Sequence, residues 1–146
     1  MISSFKPQTA KKAGVMQNSI KLKATLLISG SIAVGIGAGI LFAPEAFYAA
    51  NNIQLAHDIN LLSEIRAPGG ALLACGVLII SGSFVPWLAF SATLVSSLMY
   101  ISYGLSRILA MAIDGIPAQS LIIVCVLEMA IGLFNLCMLI KIPKSP

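Results

Sequence analysis

Residues 67–106 read APGGALLACGVLIISGSFVPWLAFSATLVSSLMYISYGLS, forty positions without a single formal charge. A helix crosses roughly 30 Å of hydrocarbon with about 20 mainly apolar residues, so this run is long enough for two crossings. Ser81-Gly82-Ser83 and Pro86 stand near its middle, where a tight turn between two helices would have to fall. Working outward, Ala24–Pro44 is free of charge on the N-terminal side. On the C-terminal side Gly115–Ile140 carries one charge, Glu128. The pattern predicts helices over 22–43, 64–81, 84–112 and 117–140.

The composition agrees. Of 146 residues 58% are hydrophobic and 10% charged, with a mean hydropathy of +0.97. Soluble domains carry about 25% charged residues, which excludes a free cytosolic enzyme, a disordered chain and a secreted disulfide scaffold. Backbone groups in lipid must be satisfied within the segment, which favours helices. A β-barrel would alternate in polarity along segments of about ten residues, and these runs do not alternate. The expected fold is therefore all-α: an integral membrane four-helix bundle over 22–140, after a Lys-rich leader (1–21) and before a short tail (141–146). The leader and Tyr48-Ala49-Ala50 resemble a secretory signal, but an apolar run of about 20 residues is too long for one.

Basic residues set the expected orientation. Lys6, Lys11, Lys12, Lys21 and Lys23 precede the first span, and Lys141 and Lys144 follow the last. Between spans one and two lie Glu45, Asp58 and Glu64 against Arg66, and between spans three and four lies Asp114. Excess Lys at both ends places both termini in the cytoplasm, with Trp87 at the inner interface and Phe47 and Tyr48 at the outer one. The leader has no Arg and one aromatic residue, so it reads as a topology signal that attracts anionic lipid rather than a nucleic-acid surface. Cys75, Cys125 and Cys137 are isolated within spans and read as small core residues, not a metal or redox set.

Ile53, Ala56, Ile59 and Leu62 recur at helical spacing among Asn51, Asn52, Gln54, Asp58 and Asn60. This predicts a short amphipathic outer helix between the first two spans, with His57 as an exposed polar residue on it. Ser31, Gly35 and Gly39 repeat every fourth residue of the first span, a small-residue stripe along which another helix can approach closely. Gly35-Ile36-Gly37-Ala38-Gly39 lacks the preceding strand and the Lys-Ser/Thr of a phosphate loop, so helix packing is its reading.

Ionisable groups inside a span are costly unless partnered, which makes Glu64, Arg66, Arg107 and Glu128 the candidate site. Arg107 is expected roughly 8 Å inside the outer end of the third helix, and Glu128 roughly 15 Å into the fourth. Ser96, Tyr100, Tyr103 and Arg107 share one face of the third helix, and Glu128, Gly132 and Asn135 one face of the fourth. If those faces meet, they enclose a pocket with two carboxylates, two guanidiniums and two phenols. Such a network either fixes helix register or binds a ligand.

Leu62-Ser63-Glu64-Ile65-Arg66-Ala67-Pro68-Gly69-Gly70, Tyr103-Gly104-Leu105-Ser106-Arg107 and a Glu inside the fourth helix carry a resemblance. Over residues 22–140 the chain resembles an uncharacterised four-helix bacterial membrane family, a domain of unknown function grouped with the DoxX-like proteins. The resemblance implies a bundle in the bacterial inner (plasma) membrane and no established activity.

No nucleophile, metal ligand set or cofactor motif is present in the sequence, so catalysis and a cofactor are not expected. The first functional reading is a structural or accessory subunit of a larger membrane complex, or a homo-oligomer, in contact with lipid and without nucleic acid. The alternative is a binder or carrier of a small lipophilic or anionic ligand, quinone-like or lipid, using the buried Arg/Glu pocket. An enzyme acting on a membrane-embedded substrate would need a lateral opening beside Tyr100 and Tyr103. Proton-coupled exporters of the small multidrug type carry their membrane Glu on the first helix, which here has no acid.

Overall fold

The computed structural model describes the backbone of residues 6–141 and the side chains of residues 20–140. The side chains of Lys6, Lys11, Lys12, Lys141 and Lys144, which the orientation reading uses, lie outside the described residues. Every regular element among the described residues is helical: α1 (Lys6–Phe42), α2 (Pro44–Ala49), α3 (Ile59–Phe84), α4 (Ala89–Asp114) and α5 (Gln119–Lys141). A single 3-10 turn, Pro86–Leu88, joins α3 to α4.

Four helices are long and apolar enough to cross a membrane: Ile20–Phe42, Ile59–Phe84, Pro86–Asp114 with its leading turn, and Gln119–Ile140. Their surface agrees, because Ile28 (61% exposed), Leu109 (60%) and Val126 (62%) point away from the bundle. A monomer in water rarely exposes apolar patches larger than a few hundred Å², whereas lipid accepts them. α1 does not start at the expected boundary. Its 37 residues span about 55 Å, so part of the leader continues the first spanning helix.

The expected helix across Ile53–Leu62 is displaced. Residues 53–58 carry no regular structure, while a short helix forms earlier, at Pro44–Ala49. Pro44 opens it, where its fixed φ suits the first turn and its missing N–H costs nothing. Ile59 and Leu62 belong instead to the first turn of α3, which Asp58 caps by accepting from the amides of Asn60 (2.7 Å) and Leu61 (3.1 Å). A cap of this kind contributes about 1 kcal/mol and explains why α3 starts five residues before the expected boundary of 64. After α2 the chain reverses through Asn52, whose positive φ of 60° Asn tolerates. The Ile53 amide donates to the Tyr48 carbonyl (3.1 Å), and His57 Nδ1 meets Glu45 Oε1 at 3.0 Å, folding the connection back on itself.

Packing is uneven around the bundle. α1 and α3 run in close contact, as do α4 and α5; α3 touches α4 less, and α1 barely meets α5. The α1–α3 seam is built on Gly30 and Gly37 facing Gly76 and Gly69. A Cβ at Gly30 would stand 3.0 Å from the Gly76 carbonyl oxygen, and one at Gly37 would stand 2.9 Å from that of Gly69. Of the expected stripe of Ser31, Gly35 and Gly39, only Gly39 packs against another part of the chain among the described residues. Ser31 is exposed, a Cβ at Gly35 meets nothing within 4 Å, and Gly39 lies against the Phe47 ring of α2. At the end away from α2, Leu26, Ile79 and Ala92 form a fully buried core, with Leu22, Val95 and Met99 around it.

Candidate functional site

Arg107 of α4 and Glu128 of α5 form an ion pair, Nε to Oε2 at 2.8 Å. The Glu128 side chain is 11% exposed and that of Arg107 35%, so the carboxylate is the deeply placed partner. They meet because α4 and α5 pack closely. Gly104 leaves room for Met129, and a Cβ at Gly132 would stand 2.9 Å from the Ile101 amide nitrogen. A charge-assisted bond of this length satisfies part of what burial takes from each ion, although such a pair is not by itself evidence of stabilisation.

The pair stands in the wall of a cavity of about 420 Å³. Ala33, Ile36 and Ile40 of α1, Leu72 of α3, and Leu121 and Val124 of α5 supply its apolar lining. Tyr100 and Tyr103 of α4 join the ion pair, and Phe47, Tyr48, Asn51 and Ile53 cover it from α2 and the turn that follows. Of the expected face of α4, Tyr100, Tyr103 and Arg107 all line this cavity. Ser96 lies one turn further, donating to Ser29 Oγ at 3.3 Å. Tyr100, 4% exposed, donates from its hydroxyl to the Ser29 carbonyl at 2.6 Å, which pins α4 to α1.

Glu64 and Arg66 are not part of this cavity, so the expected four-charge pocket contains two charges. Glu64 is exposed, and it does not pair with Arg66 because residues two apart in a helix do not face each other. The Arg66 guanidinium donates to the Leu41 carbonyl at the end of α1, an orphan acceptor that the helix cannot satisfy itself. Its place is structural: it ties the end of α1 to α3. The site gains Tyr48 of α2 and Asn51 just after it. Their only sequence signal is Pro44 as a helix start, which turns the chain over the bundle rather than away from it.

A second cavity, about 330 Å³, lies further along the same α1–α5 seam, lined by Thr25, Ile28 and Ser29 and by Ala130, Ile131, Phe134 and Asn135. Tyr100 lines the first cavity and its hydrogen-bond partner Ser29 lines the second. Asn135 is 0% exposed and donates to the Ile131 carbonyl at 2.9 Å, but its Oδ1 has no partner among the described residues. A smaller recess, about 190 Å³, touches the other side of Arg107 through Asp114, Pro117 and Leu121. Among the described residues no three His, Cys, Asp or Glu side chains come together to hold a metal ion. The three cysteines are free, with Cys125 Sγ directed to the Gly104 carbonyl at 3.5 Å.

Four apolar spanning-length helices around an internal ion pair define a multi-pass membrane protein. Residues 21–139 match the family described as Domain of unknown function (DUF4345), and the chain belongs to that family. No curated protein and no solved structure matches it.

Proposed function

We propose that this membrane protein binds a small lipophilic molecule within the bundle and performs no chemistry on it. The cavity carries this reading. Its volume of about 420 Å³ falls in the range of roughly 300–1,000 Å³ typical of small-molecule sites, and its lining is apolar with a few convergent polar groups. Those groups are a paired guanidinium and carboxylate, three phenols and Asn51, a set suited to orienting a head group. Quinone-like molecules and lipids are the ligand classes such a lining admits.

The reading as an accessory subunit is compatible with this one and has its own support. The open face of α1 at Ser31 and Gly35 leaves space for a helix of another chain or of a second copy. Orientation and location belong to the same proposal: a bacterial inner membrane, a place near the DoxX-like proteins, and cytoplasmic termini. Lys21 and Lys23 at one end and Glu45, Asp58, Glu64 and Asp114 towards the other support that orientation.

Native mass spectrometry of the chain released directly from membranes tests the proposal. Wild-type protein is expected to retain one small amphiphile per chain. Ile36→Trp and Val124→Trp, which fill the lining from half-buried positions, are expected to lose it while remaining folded. Recovery of bare wild-type protein, or equal retention in folded variants, would overturn the reading.

A further inference from the structure

Resting on the binding reading above, we infer that the ligand is an uncharged amphiphile. Its head carries both a hydrogen-bond donor and an acceptor, as in an alcohol or amide, and its apolar body lies along the α1–α5 seam. Among the described residues Arg107 and Glu128 are the only charged ones in the lining of the larger cavity, and they neutralise each other at 2.8 Å. An anionic head on the free Nη groups of Arg107 would set a second negative charge against a single guanidinium, leaving the cavity with an unbalanced charge. A cationic head on Oε1 of Glu128 would leave an unbalanced positive charge in the same way. A net charge without its own counter-ion in an apolar cavity is far costlier than a balanced pair. A neutral head incurs neither cost.

The pair also leaves bonding capacity of both kinds. It uses Nε of Arg107 and Oε2 of Glu128. Among the described residues neither the Nη groups of Arg107 nor Oε1 of Glu128 makes a further hydrogen bond. A guanidinium has donors only and a carboxylate acceptors only, so one head group that accepts from the first and donates to the second satisfies both. A hydroxyl does this with a single oxygen.

The seam supplies the place for the body. α1 and α5 barely touch, and along the gap between them lie both cavities, one on each side of the Tyr100–Ser29 hydrogen bond. Ile28 and Phe134 at the second cavity are 61% and 50% exposed, so the seam opens on the surface that lipid covers. A chain can therefore leave the site sideways into the bilayer.

Oleyl alcohol and oleate share one hydrocarbon chain and differ in head-group charge, which makes them the probes. Binding of each to the purified full chain is measured at about pH 8, where an ordinary carboxylate is ionised. The wild type is expected to bind the alcohol at least about tenfold more tightly than oleate, because oleate brings a second negative charge to a site whose one guanidinium is already matched by Glu128. Glu128→Gln frees Arg107, and in that variant oleate is expected to match or exceed the alcohol. Oleate binding as tightly as the alcohol to wild-type protein would overturn the neutral-head inference and leave the binding reading standing. Glu128→Gln folded but with unchanged preference would overturn the ion pair as the selecting element. Binding of neither probe, together with bare protein from membranes, would overturn both readings.

Discussion

Gly37→Ala is expected to destabilise the protein by about 2–3 kcal/mol, the upper part of the range for overpacked cores, whereas Gly35→Ala is expected to stabilise it slightly. The two positions are two residues apart on one helix and differ in what a Cβ would meet. At Gly37 it would stand 2.5 Å from the Leu73 amide nitrogen and 2.9 Å from the Gly69 carbonyl oxygen. Both are backbone atoms of α3, so no side chain can rotate away and the two helices must separate. That separation would propagate to Gly30 and Gly76, which meet in the same manner. At Gly35 nothing lies within 4 Å, and the change recovers up to about 1 kcal/mol of helix propensity. Thermal unfolding in detergent reads the difference, at roughly 4 °C per kcal/mol for a chain of this size. Equal shifts at both positions would contradict the glycine seam.

Arg107→Met is expected to cost more than Glu128→Met, and the double variant less than Arg107→Met alone. Removing Arg107 strands a carboxylate whose side chain is 11% exposed. Breaking a buried pair from one side costs about 3–5 kcal/mol. Removing Glu128 leaves a guanidinium that is already 35% exposed and lies seven residues before the end of α4. Its long stem lets the charge reach towards the interface. Replacing both by Met removes the charges and keeps the volume, which for buried pairs is often neutral. A double-mutant cycle on unfolding measures the coupling. Additive single effects would mean that the 2.8 Å contact carries no energy.

The spans were legible because charge is so scarce: a run such as 67–106 can only be two crossings and a turn. The Arg107–Glu128 pair was legible for the same reason, as the two ions deepest in the third and fourth helices. The rest depended on how each helix is rotated. α1 carries two small-residue patterns, Ser31–Gly35–Gly39 at every fourth residue and Gly30–Gly37 at every seventh. The second meets a glycine pair of equal spacing on α3, Gly69–Gly76, where both backbones come close enough that a Cβ would clash. Turning Gly69 and Gly76 towards α1 carries Glu64 to the outside and brings Arg66 to the end of α1, which dissolves the expected four-charge pocket. The periodicity of Ile53, Ala56, Ile59 and Leu62 misled because its last two members belong to the next helix; Asp58 is the boundary. Tyr48 and Asn51 reach the site through α2, which Pro44 opens and which lies over the bundle.

A structure of the protein in lipid nanodiscs, determined without added ligand, tests the cavity most directly. The expected result is elongated non-protein density, its polar end within hydrogen-bond reach of Arg107 and Glu128 and its body between α1 and α5. A seam closed on itself, with Ile36, Leu72 and Val124 in mutual contact and no density beside the ion pair, would contradict the account.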